Sequence, residues 1–133
     1  MTETPDDSDF TDEFCAFLQN SVATVDAAEL LLQLAQHRDK YWLVRDLVAK
    51  VSAAGTLAET DAEKYLDALD SRGLVERAAD GRVRYRSSVT DEAHVATLHK
   101  LYVERPVTLF RVIYALRDTK IKTLADAFRI FRK

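Results

Sequence analysis

The chain has 133 residues and a net charge of −3, with 47% hydrophobic residues, three Gly, two Pro and a single cysteine. That apolar share supports a packed core and excludes a disordered chain. One cysteine, Cys15, excludes an internal disulfide. No apolar run approaches the ~20 residues of a membrane span, and the N-terminal "MTETPDDSDF" lacks the basic and apolar regions of a signal peptide. A cytoplasmic protein is expected.

The charge is unevenly spread. Residues 1–99 hold 10 Lys+Arg against 19 Asp+Glu, and residues 100–133 hold 9 against 3. Such a split predicts an anionic partner for the basic end or self-association of opposite ends. In chain order, residues 1–9 read as a flexible acidic tail. Phe10, Phe14, Phe17, Leu18 and Val22 then recur at helical spacing, predicting a helix over about 10–21 that Asp9 or Thr11 caps. Asp26 is expected to cap a second helix, with Leu30, Leu31 and Leu34 inward. "HRDK" reads as a turn and "YW" as a very short strand. A third helix places Val44, Leu47, Val48 and Val51 on one face, with Gly55 as its stop.

The stretch "TDAEKYLDALDSRGL" (60–74) reads as a fourth helix. Thr60 and Glu63 have the spacing of a capping box. Ala62, Tyr65, Leu66 and Leu69 line its inner side, and Gly73 stands where a left-handed residue is wanted. Leu74–Ala78 and Arg82–Arg86 read as strands joined by an Asp80-Gly81 turn. Alternation turns Val83 and Tyr85 to the core and Arg82, Arg84 and Arg86 to the other face, with Arg77 nearby. Thr90 is expected to cap a fifth helix carrying Val95, Leu98, Leu101 and Tyr102. Pro106 either kinks that helix or starts another, in which Leu109, Val112, Ile113 and Leu116 form an apolar line. "RDTKIKT" reads as a turn, and "LADAFRIFRK" as a last short helix with Leu124, Phe128 and Phe131 along one side.

The order helix, helix, short strand, helix, helix, hairpin is that of a winged helix-turn-helix domain. The piece "YLDALDSRGLVERAADGRVRYR" resembles the recognition helix and wing of MarR-like regulators, and the end, "ADAFR" after a basic aromatic helix, resembles a set of small bacterial winged-helix proteins described as transcriptional regulators. The expected fold is mainly α with a small β-hairpin: a flexible tail at 1–9, a winged helix-turn-helix with a leading helix at 10–89, and a helical region for dimerisation or docking at 90–133. The resemblance implies a dimer that binds double-stranded DNA.

The candidate DNA contacts are Arg77, Arg82, Arg84 and Arg86 on the wing, because guanidinium forks bind phosphate oxygens in pairs. Thr60, Lys64 and Arg72 are weaker candidates on the recognition helix, which also carries Glu59, Asp61, Glu63, Asp67 and Asp70. That acidity favours a rival reading, a winged-helix module that binds a protein partner. Leu109, Val112, Ile113, Leu116, Leu124, Phe128 and Phe131 are the candidate dimer or docking residues. His37, His94 and His99 are too scattered for a metal site, and no glycine-rich loop or nucleophile–base spacing occurs. The sequence therefore predicts no catalytic residue, no metal and no cofactor.

Overall fold

The computed structural model describes residues 10–51 and 57–117. Among these it is mainly helical, with α1 Asp12–Ser21, α2 Val25–Gln36, α3 Val44–Val51, α4 Glu59–Ser71, α5 Val89–Glu104 and α6 Pro106–Leu116. One antiparallel hairpin, β1 Val75–Arg77 and β2 Val83–Tyr85, lies between α4 and α5. The acidic tail at 1–9, the stop at Gly55, the turn after Arg117 and the last helix with Leu124, Phe128 and Phe131 lie outside the described residues. The chain divides into two compact units, one of Met1–Val25 with Thr97–Lys133 and one of Asp26–Ala96.

In the first unit, Thr11 caps α1, its Oγ1 accepting from the Phe14 N–H at 3.1 Å. Phe10, Phe14 and Leu18 are fully buried, and the Phe14 ring stacks with Phe17 at 6.1 Å. Arg105 leaves the helical region at φ −142°, so α5 ends and Pro106 opens α6 at its first position. Proline suits that place because its missing N–H would have no partner there. The Gln19 amide donates to the Leu116 carbonyl at 2.9 Å, tying the end of α1 to the end of α6.

In the second unit, Leu30, Leu31 and Leu34 of α2 are buried, as are Leu47 of α3 and Ala62, Leu66 and Leu69 of α4. The "YW" segment forms an isolated bridge: Trp42 N–H donates to Val83 O at 2.8 Å and Val83 N–H to Trp42 O at 2.9 Å. The hairpin pairs Val75 with Tyr85, Glu76 with Arg84 and Arg77 with Val83. Val75, Val83, Tyr85 and Trp42 are buried, which defines the inner face.

Three expected caps differ. Asp26 lies in the first turn of α2, which begins at Val25. The α4 cap position is Ala58, with no side-chain bond, so the Thr60–Glu63 capping box does not form. α5 begins at Val89, one residue before Thr90, and the Ser88 hydroxyl accepts from Asp91 N–H at 3.2 Å. Gly73 ends α4 at φ +76°, as expected. Nothing lies within 4 Å of where its Cβ would stand. Gly73→Ala should therefore cost about 1 kcal/mol of backbone strain, against about 2–5 kcal/mol for the cavity left by Leu66→Ala. Urea unfolding of the two variants measures the contrast.

Candidate nucleic-acid interface

The hairpin presents two faces of different chemistry. Cross-strand partners share a face, so Arg77, opposite Val83, points inward and Arg84, opposite Glu76, points outward. Arg77 is consequently not part of a patch with Arg84. Its side chain is only 16% exposed and reaches α4. One terminal nitrogen donates to Asp67 Oδ1 at 3.0 Å. The other donates to Glu63 Oε1 and to the Gly81 carbonyl, both at 2.9 Å. Arg77 Nε is buried and has no hydrogen-bond partner among the described residues. Engaged at both terminal nitrogens and turned from solvent, this guanidinium is a fastener between helix and hairpin.

The outward residues are more accessible, although Arg84 is half-buried and its Nε is withdrawn from solvent. Arg84 donates to Glu76 Oε1 at 2.7 Å and lies 4.8 Å over the Tyr41 ring. The bond from Glu76, with the Tyr41 charge second, raises its pKa. Arg82 is half exposed and pairs with Asp80 at 3.1 Å. Arg86 is exposed, and its backbone N–H donates to Leu74 O at 2.9 Å. Tyr41 does not stand out in the sequence. Its signal is its position beside Trp42: alternation about an inward Trp42 turns Tyr41 to the face that carries Arg84.

On α4, Thr60 and Lys64 are exposed near the start and Arg72 near the end. Lys64 stands 3.9 Å from Asp61. Thr60 and Arg72 are twelve residues apart, about 18 Å along the helix, so the three do not make one site. Glu63 and Asp67 pair with Arg77, although the Asp67 side chain stays 72% exposed, and Glu59, Asp61 and Asp70 face solvent as well.

Leu109, Val112, Ile113 and Leu116 are between 0 and 2% exposed within a single chain. Their expected role as a dimer surface is corrected: they are core residues, and the open face of α6 is the opposite one. A groove of about 380 Å³ in the same unit is lined by Gln19, Asn20, Ala23, Leu116 and Arg117. It holds no acid, base and nucleophile arranged for chemistry. Among the described residues, no group of three or more His, Cys, Asp or Glu is placed to hold a metal ion, and no helix is long and apolar enough to cross a membrane. Cys15 is buried, and burial, with the nearby charge of Asp12, pushes its thiol up to about 11.

Below the hairpin, Arg38 donates twice to the Glu92 carboxylate, at 2.6 and 2.7 Å, and the Ser87 hydroxyl donates to it at 2.8 Å. The guanidinium also lies 5.0 Å from the Tyr85 ring centre. Bonds from Arg38 first and Ser87 second hold Glu92 down to about 2, against an ordinary 4.5. This joins the end of α2, the exit of β2 and the start of α5.

The folded pKa of Glu92 lies below its unfolded value, so the folded state binds the proton more weakly. Its stabilisation is present above pH 4.5 and is lost as pH falls towards 2. Glu92→Gln should flatten the acid limb of a stability–pH curve in that window, with the pair's solvent exposure keeping the effect small. Arg77→Ala should destabilise by about 1–3 kcal/mol, because it removes three bonds and leaves two acids side by side, whereas Arg82→Ala should change stability by less than about 0.5 kcal/mol. Equal losses in the two variants would contradict the fastening role. Compared with protein-family models, curated proteins and solved structures, the chain gives no match.

Proposed function

We propose that the unit Asp26–Ala96 is a winged helix-turn-helix and that the chain is a DNA-binding transcriptional regulator of the MarR-like kind. The order α2, Trp42 bridge, α3, α4, β1, β2 supports the fold reading, as does the bonding of Trp42 to β2. The observation that carries the functional reading is the outward side of β2, where Arg82 and Arg86 are exposed and Arg84 is half-buried between them. Exposed ion pairs are held weakly, because water screens them and ordering two long side chains costs entropy. A phosphate can therefore take the place of Glu76 or Asp80 at little cost. The backbone contacts fall to the hairpin, and α4 contributes few base contacts, since carboxylates face phosphate unfavourably and accept only from cytosine N4.

Arg82→Ala with Arg84→Ala should weaken binding to a generic duplex and reduce its salt slope by roughly one unit for each phosphate that is no longer neutralised. Fluorescence anisotropy across a salt series reads both. A wild-type chain that retains no duplex at low salt would sink the proposal.

A second reading is favoured by the solvent-facing Glu59, Asp61 and Asp70 on α4: a module whose acidic helix meets a basic protein surface. Asp61→Lys with Asp70→Lys separates the two. Where α4 lies beside phosphates, the reversal raises duplex affinity several-fold by removing repulsion. Where α4 faces a protein, duplex affinity stays unchanged.

A further inference from the structure

The inner side of α6 is closed, but its outer side is not. Val107 is 61% exposed and Tyr114 is 74% exposed. Phe110 is half-buried between them, its ring 5.9 Å from Tyr102. Along α6 the spacings are three and four, the pattern of a helix face that receives another helix. These residues belong to one compact unit.

The chain leaves α6 at Arg117, at the end of this line, and 16 residues follow. They carry Leu124, Phe128 and Phe131, spaced four and then three. That is the same seven-residue span as Val107 to Tyr114, which would be about 10 Å in helical form. Laid antiparallel, Leu124 falls opposite Tyr114, Phe128 opposite Phe110 and Phe131 opposite Val107, all in one register. Residues 118–123, "DTKIKT", are six in number, within the two to eight that commonly join antiparallel helices. A second copy fits the face less well. A two-fold antiparallel pairing centred between Val107 and Tyr114 sets the exposed Arg111 beside its own symmetry mate.

We propose that Leu124, Phe128 and Phe131 of the same chain cover Tyr114, Phe110 and Val107 of α6, holding the basic C-terminal end against this unit. The inference goes beyond the DNA reading and does not depend on it.

Paired cysteines in the full chain test it without nucleic acid. Tyr114→Cys with Leu124→Cys, and Val107→Cys with Phe131→Cys, are in register. Val107→Cys with Leu124→Cys is not. In glutathione buffer the matched pairs should close within one chain at an effective concentration roughly tenfold above the mismatched pair. Native Cys15 is buried and stays out of the exchange. Matched pairs that close no more readily than the mismatched one, or that close only between chains, overturn the proposal. Independently, Val107→Asp with Tyr114→Asp alters exposed positions only, so α6 keeps its core. Trypsin should then cut after Arg129 roughly tenfold faster, because cleavage follows the population of the open form. An unchanged cleavage rate would also overturn it.

Discussion

The contact on which the hairpin unit depends is the fork of Arg77. It joins two acids of α4 to the hairpin turn, through Glu63, Asp67 and the Gly81 carbonyl. A guanidinium so far withdrawn from water needs compensating charge, and removing its partners would leave it buried and unpaired. Two acids of an otherwise puzzling helix therefore have a structural reason to be there. They fix the hairpin on α4, one turn apart on the same helix face. Arg77 offsets part of their charge, while both carboxylates keep contact with solvent.

The hairpin separates its arginines by accessibility. Arg77 is tied at three points, while Arg82 and Arg84 each hold one exposed acid. Binding a polyanion by exchanging such partners costs little, whereas recruiting Arg77 would dismantle the joint that positions the strands. The Arg38–Glu92–Ser87 cluster adds a second tie where β2 leaves the sheet. Any contact through β2 is thus made by a strand held at both ends.

Much of this is legible in the sequence, and the exceptions have definite causes. Helical periodicity marks the buried lines of α1, α2, α4 and α6, because burial of apolar side chains dominates element placement. Gly73 is legible because its role is purely backbone. The side that Arg77 takes depends on a single residue of register, which alternation along β2 does not supply. A two-residue Asp80-Gly81 turn would set Arg77 opposite Arg84, on one cationic face. The chain instead uses a three-residue loop, in which Ala78 pairs with Arg82 and Gly81 takes φ +92°. Sliding a strand by one residue exchanges its faces, and so Arg77 turns to α4. The caps are ambiguous for a local reason. Ser88 and Thr90 are both competent caps, and helix boundaries drift by a residue when tertiary bonds decide between such neighbours.

α6 exposes the same limit at the level of a whole face. Leu109, Val112, Ile113 and Leu116 form one apolar line, and Val107, Phe110 and Tyr114 form another on the opposite side. Periodicity detects each line but does not rank them. The first consists of aliphatic side chains that fill a core without a polar atom to satisfy. The second includes Tyr114, whose phenol needs a partner or water, and the Arg117 guanidinium lies 5.8 Å from its ring centre. A face of that composition suits a covering that stays partly wet, such as a short helix at the surface, better than the interior of a unit.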